Sequence, residues 1–242
     1  PALTPNLAYF AQRSTVFKNA YSASAFTNHS TLGLFTSEPI TSITNANPID
    51  NNRYCAGITF PEQLKDFGYQ TAAFVSVSIA NVINQGFMKR NPFYFPLDGI
   101  NADVFGDKKP LLSSVFTENA IQYVKTHADR PFFLWMHYTD SHAPYLGPEA
   151  ETGHATPLAP YDQTLAYVDF HLGRLLKTLV ESGQLANTVV AITGDHGEDL
   201  GERGREGHGP HAFESSVHVP LIVWVPGCPG RVVDERVSAT QI

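Results

Sequence analysis

The sequence is poor in the features that most readily classify a protein. Its only cysteines are Cys55 and Cys228. Two cysteines make no disulfide framework and no CxxC spacing, and whether they pair stays open. No run approaches the roughly 18 consecutive apolar residues of a membrane-spanning helix. Lys and Arg number 16 against 23 Asp and Glu, a formal charge of −7. The basic residues are scattered singly, so there is no cationic stripe for a phosphate backbone, and nucleic acid is not an expected partner. Internal repeats and low-complexity tracts are absent. The chain begins at Pro1 rather than Met, which we read as a missing natural amino terminus. The lack of a signal peptide therefore carries no information.

What is present is an ordinary globular composition of 242 residues, long enough for one substantial core. Short apolar runs of strand length recur at Thr71 to Val77 (TAAFVSV), Pro131 to His137 (PFFLWMH), Thr188 to Thr193 (TVVAIT) and Val219 to Val225 (VPLIVWV). They do not alternate with polar residues, as expected of strands buried on both faces. Between them lie helical patterns. Over Tyr161 to Ser182, Leu165, Val168, Leu172, Leu175, Leu176 and Leu179 recur at helical spacing and Gly183 follows as a stop. Leu111 to His127 reads the same way, with Val115, Ile121 and Val124 inward. Strands alternating with helices predict an α/β fold, a mostly parallel sheet covered by helices on both faces. Ser37 to Asn52 is a polar connection. Ligands of such sheets bind beyond the carboxyl ends of the strands, which directs attention to "TDSHAPY" after the second run and "GDHGE" after the third.

Asp195 and His196 stand side by side at such a strand end, between Gly194 and Gly197. A carboxylate and an imidazole there can reach one cation, and the glycines let the chain turn sharply. The alternative is an Asp in a surface turn beside an unrelated His. His208 and His211 follow in a glycine-rich segment long enough to fold back over the same strand end, and His142 ends a different strand. His137 lies inside an apolar run and reads as a hydrogen-bonded core residue. His29 lies near the amino-terminal candidate site, whereas His127, His154, His171 and His218 have no constellation. In "SASAFTNHSTLGLFTS", Thr27 and Asn28 read as a helix start. Either Thr27 caps that helix, or its hydroxyl is a nucleophile beside an anion-favouring helix terminus. A His beside an Asp suits zinc or manganese better than calcium, whose shell is nearly all oxygen.

Taken together, five segments in order resemble the sulfatase-like branch of the alkaline phosphatase superfamily, which includes sulfatases and the phosphoethanolamine and phosphoglycerol transferases. They are "TPNLAYFAQRSTVFKNAYSAS", "GYQTAAFVS", "PFFLWMHYTDSHAPY", "YDQTLAYVDFHLGRLLKTL" and "GDHGEDLGERGREGHGPHAFESSVHVPLIVWVPG". The resemblance implies one catalytic domain over residues 1–242, with the active site at the carboxyl ends of the strands. It further implies one divalent ion bound by Asp195, His196 and Thr27, with Thr27 as nucleophile and His142, His208 and His211 contacting substrate; His142 and His208 would also share in catalysis. The substrate would be an ester, lipid- or glycan-linked, in a periplasmic or extracytoplasmic setting.

Two departures refine that expectation. Sulfatases carry Cys or Ser in a C/S-x-P/A-x-R pattern that is converted to formylglycine. Here Thr27-Asn28-His29-Ser30-Thr31 has neither Pro nor Arg, and threonine cannot become formylglycine. The family's transferases use an unmodified Thr, which favours phosphoric over sulfuric esters. The family also takes an acidic ligand from a strand before "TPNL", whereas no Asp or Glu precedes Glu38, and it continues beyond "RVSATQI". The chain is therefore expected to be truncated at both ends, with any membrane anchor confined to the missing upstream segment. The competing expectations are a sulfuric ester hydrolase with a nonstandard nucleophile and a catalytically dead member retained for binding.

Overall fold

The computed structural model describes residues 3–39, 41, 59–75, 112–145 and 159–242. Cys55, His154 and nearly all of the Ser37 to Asn52 connection lie outside them, and Cys228 is an exposed free thiol. In chain order the main elements are α1 (Pro5–Ala11), β1 (Thr15–Tyr21), α2 (Thr27–Thr36), α3 (Phe60–Asp66), β2 (Gln70–Phe74), α4 (Leu112–Thr126), β3 (Phe132–Met136) and α5 (Pro160–Glu181). They continue with β4 (Val190–Thr193), β5 (Asp199–Leu200), β6 (Glu206–Gly207), α6 (Glu214–Val217), β7 (His218–Trp224) and β8 (Arg231–Ser238). The fold is mixed α/β, and the residues divide into two compact units.

One unit holds α1, β2, α4, β3 and α5. Strands β2 and β3 pair in parallel from Gln70↔Phe132 to Phe74↔Met136, and Thr71 to Phe74 are buried as their apolar run predicts. Helix α4 buries Phe116, Ala120, Ile121 and Val124, and α5 packs against it with Leu175, Leu176 and Leu179. Each Phe, Ile, Val or Leu among them contributes about 1.5–3 kcal/mol when fully removed from water. The leucine stripe underestimates how much of α5 is covered. Leu165, Val168 and Leu172 are half-buried, while Tyr167, Asp169 and His171 are buried. The reason is that α5 touches both α4 and α1, so polar residues enter the core wherever a partner meets them. Asp169 accepts from the Asn6 amide at 3.0 Å, the Asn6 side chain at 2.8 Å and the Leu7 amide at 2.7 Å. It thereby satisfies the start of α1, which has no side-chain cap of its own. Gly173 leaves the space that the Asn6 side chain fills.

The other unit holds β1, α2, α3 and β4 to β8. Its four-stranded sheet has the order β4-β7-β1-β8. Strand β8 runs parallel to β1, whereas β7 runs antiparallel to both β1 and β4. The apolar run at Val219 is thus not another parallel strand. Parallel neighbours need a crossover connection, usually a helix, and the only α-helix between β4 and β7 is the four-residue α6. Ala20, Val219 and Leu221 form the core of this sheet, flanked by Phe17, Val223 and Val237. Strand β4 departs from the expected two-sided burial, with Ala191 exposed and its neighbours half-buried. It is an end strand of the sheet among the described residues. No described helix is long and apolar enough to cross a membrane.

Candidate functional site

Strand β4 ends at Thr193, and the turn Gly194-Asp195-His196-Gly197 follows it. The His196 Nδ1 lies 2.8 Å from the Gly197 carbonyl. A carbonyl can only accept, so Nδ1 carries the proton and Nε2 keeps its lone pair. That lone pair faces the Thr27 Oγ1 at 2.9 Å, with Asp195 Oδ2 3.5 Å from the same nitrogen. The Thr27 hydroxyl therefore donates to His196.

Thr27 is the first residue of α2, and the capping position is held by Phe26 in extended conformation, without a side-chain cap. Thr27 is thus not the residue that caps α2; its hydroxyl meets His196 instead. One turn further on, Ser30 is buried and its hydroxyl donates to the Asp195 carbonyl. The i and i+3 positions of one helix face grip adjacent residues of the β4 turn. Ser24, another hydroxyl in this segment, accepts from the Phe26 amide at 3.1 Å. Beside Thr27, Phe26 is 40 % exposed and meets the His29 ring edge-on at 5.9 Å; burial pulls the His29 pKa down.

The glycine-rich segment does fold back. Strands β5 and β6 pair as a short hairpin, Asp199↔Gly207 and Leu200↔Glu206, around a turn in which Gly201 and Gly204 take left-handed φ values of 109° and 66°. This return sets the His208 ring 4.3 Å from that of His196. Glu198 Oε1 lies 3.2 Å from His208 Nδ1. That bond is the main reason why the His208 pKa is raised above its ordinary value, with burial opposing it and the Glu198 and Asp195 charges assisting. His211 is placed differently, exposed with its ring 5.4 Å from Phe213. His142 belongs to the unit of β2 and β3. Its Nδ1 donates to the Ala143 carbonyl at 2.8 Å, which leaves Nε2 with its lone pair. His137 is buried, as its apolar run predicts.

Sequence reasoning passed over Glu198 and Asp199. The Asp199 carboxylate is buried and accepts from the hydroxyls of Ser215 and Ser216 and from Arg203. Its only signal in the sequence was the Ser215-Ser216 pair ahead of the last apolar run. Among the described residues no three His, Cys, Asp or Glu converge as a metal cage. The convergent donors are one carboxylate, one imidazole nitrogen whose lone pair meets the Thr27 hydroxyl, and that hydroxyl. Their chemistry suits a zinc-like ion, although zinc sites normally use three or four protein ligands.

The family model described as Sulfatase matches residues 1–242. Steryl-sulfatase of Mus musculus is 29% identical over 145 residues, which make up 54% of this chain and 23% of the relative. Iduronate 2-sulfatase of Homo sapiens is 46% identical over 68 residues, 28% of this chain and 12% of the relative. The chain thus spans less than a quarter of these two relatives. Among solved structures, the lipoteichoic acid synthase of Listeria monocytogenes superposes with a TM-score of 0.78 at 16% identity, covering 99% of this chain and 64% of that one. Identity that low speaks for the fold alone.

Proposed function

We propose a function on one premise: the chain belongs to the sulfatase family over its whole length. Within that family it is the catalytic part of a metal-dependent hydrolase or transferase of phosphoric esters, with Thr27 as the nucleophile, and residues 1–242 form a single catalytic domain. The observation that carries this reading is the Thr27 Oγ1 at 2.9 Å from His196 Nε2, with the Asp195 carboxylate beside the same nitrogen.

A divalent ion held by Asp195, His196 and the Thr27 hydroxyl, zinc or manganese in preference to calcium, supplies Lewis-acid chemistry that lowers the hydroxyl pKa and offsets ester charge. The protein's own part is orientation. Ser30 fixes the Asp195 backbone, and the Gly197 carbonyl fixes the His196 ring. Thr27 Oγ1 forms the new bond to phosphorus as the bond to the ester oxygen breaks, the hydroxyl proton passing to the departing alcohol, and water or an acceptor alcohol then takes the phosphoryl group from Thr27 and returns a proton to it. His208, whose pKa Glu198 raises, neutralises in its protonated form the oxygens of the transferred group. His142 is a second catalytic and substrate-binding histidine, and His211 a substrate contact nearer the surface. The ester partner is lipid- or glycan-linked and the setting extracytoplasmic.

The names of the curated relatives favour a second reading, sulfuric ester hydrolysis without formylglycine. A panel of phosphate monoesters, phosphate diesters and sulfate esters, assayed with zinc or manganese added, decides between them. Phosphate ester turnover that disappears in Thr27→Ala is the expected result. Turnover of sulfate esters alone would replace it with the second reading. No turnover of any ester, with the ion bound, would leave a binding member of the family.

A further inference from the structure

We propose that Asp199 is a positioning residue for His196, acting through Ser215, Ser216 and Gly197 to fix which imidazole nitrogen carries the proton. The inference builds on the assignment of His196 to the site and goes beyond it, because Asp199 touches neither the ring nor Thr27.

The chain of contacts can be followed atom by atom. The His196 Nε2 lone pair exists because Nδ1–H donates to the Gly197 carbonyl at 2.8 Å. Gly197 is itself held, its amide donating to the Ser216 carbonyl at 2.8 Å. A Cβ at position 197 would overlap the Ser215 carbonyl, so only glycine lets the turn press this closely on the start of α6. Ser215 and Ser216 are in turn fixed by one carboxylate. The Ser215 hydroxyl and Arg203 Nη2, the latter at 3.1 Å, donate to Asp199 Oδ1, and the Ser216 hydroxyl donates to Oδ2 at 3.3 Å. Both carboxylate oxygens are engaged, and Asp199 is only 5 % exposed.

Three features separate this arrangement from a loop held in place by chance. The acceptor carries a full charge, which strengthens the bonds it receives; an amide at 199 keeps one oxygen but gives up that charge and the second acceptor. Arg203 reaches it from a left-handed backbone, φ 57°, a conformation that non-glycine residues seldom adopt. The network also closes on residues 197 and 199, immediately after His196, rather than on a distant segment. Outer contacts of this kind orient a histidine and set its tautomer, and their loss typically weakens metal binding 10- to 100-fold.

The test uses the whole chain with 15N-labelled histidine. In the metal-free protein, the His196 ring nitrogen shifts should report one tautomer protonated on Nδ1. In Asp199→Asn they should report a mixture, and zinc affinity, measured by competition with a chromophoric chelator, should fall roughly 10- to 100-fold while the far-UV circular dichroism is unchanged. A folded Asp199→Asn that keeps the single tautomer and holds zinc to within about threefold of the parent would overturn the proposal. Should that variant fail to fold, Ser215→Ala, which removes one donor and leaves the charge, is judged by the same two readouts. If the parent chain binds no zinc, the metal assignment fails, yet the tautomer comparison still decides the role of Asp199.

Discussion

Thr27 and His196, 169 residues apart in sequence, share one hydrogen bond in which Oγ1 donates to Nε2 at 2.9 Å. The neighbouring serines are engaged elsewhere: the Ser30 hydroxyl donates to the Asp195 carbonyl and the Ser24 oxygen accepts from the Phe26 amide. Thr27→Ala should therefore lower kcat by roughly 10³-fold or more without rescue by a neighbour. Steady-state assay on phosphate esters, with circular dichroism as a folding control, checks this. Residual turnover near the parent level would move the nucleophile elsewhere.

Asp195 brings the only formal negative charge to the donor set it shares with His196 and Thr27. Asp195→Asn should lower zinc occupancy as well as rate. Chelator treatment of the parent should abolish turnover, and readdition of zinc or manganese should restore it better than calcium does. Elemental analysis after dialysis measures the first effect. Full occupancy in Asp195→Asn would remove this residue from the ligand set.

Two groups of the β4-to-β7 segment set opposite pH dependences in the metal-free chain. The Ser215 hydroxyl is the largest influence holding the Asp199 pKa below 3.8. This stabilisation is present above 3.8 and is lost as pH falls through the lower folded-state value. Ser215→Ala should shift the midpoint of acid unfolding to higher pH. Glu198 holds the His208 pKa above 6.5, so the stabilisation is complete below 6.5 and is lost as pH rises through the higher folded-state value. Glu198→Gln should flatten that loss. Urea unfolding between about pH 3 and pH 9, with a chelator present, reads both slopes.

Asp169, 3 % exposed on α5, accepts two backbone amides and a side-chain amide at the start of α1. Asp169→Ala leaves those donors without their acceptor and should destabilise the unit by about 2 kcal/mol or more. Gly173→Ala would press its methyl group onto Asn6 and should destabilise by about 1–3 kcal/mol. Thermal unfolding measures both variants, and a loss within about 0.5 kcal/mol of the parent, the range of an ordinary surface substitution, would contradict the packing described.

The Asp195-His196 turn, Thr27 and the return of His208 were legible because each breaks a local pattern: charge at the end of an apolar run, a hydroxyl at a helix start, histidine among glycines. The buried polar contacts of the other unit were not. Asp169 and Asn6 lie 163 residues apart, and nothing local in either tells of the other. Periodicity likewise could not bury His171, whose Nδ1 lies 3.4 Å from Arg174 Nη1, since an imidazole between leucines looks the same whether covered or exposed. The direction of β7 was hidden for a simpler reason: an uninterrupted apolar run reads identically forwards and backwards, and only the connection preceding it fixes its sense. His211 shared its loop with His208, yet sequence proximity said nothing of the Phe213 ring that it packs against.

Because no side chain caps α2, the opening turn of that helix depends for its order on what Thr27 and Ser30 grip. Helix ends are ordinarily anchored within their own few residues; this one is anchored from across the unit, through the β4 turn. Local fraying of α2 and loosening of the Asp195-His196 turn are therefore one opening event, visible as a shared rate of amide hydrogen exchange at both places. Anything that binds at His196 would slow solvent exchange at the Ser30 amide, which donates to the Phe26 carbonyl, giving the site a built-in reporter of occupancy that needs no substrate turnover.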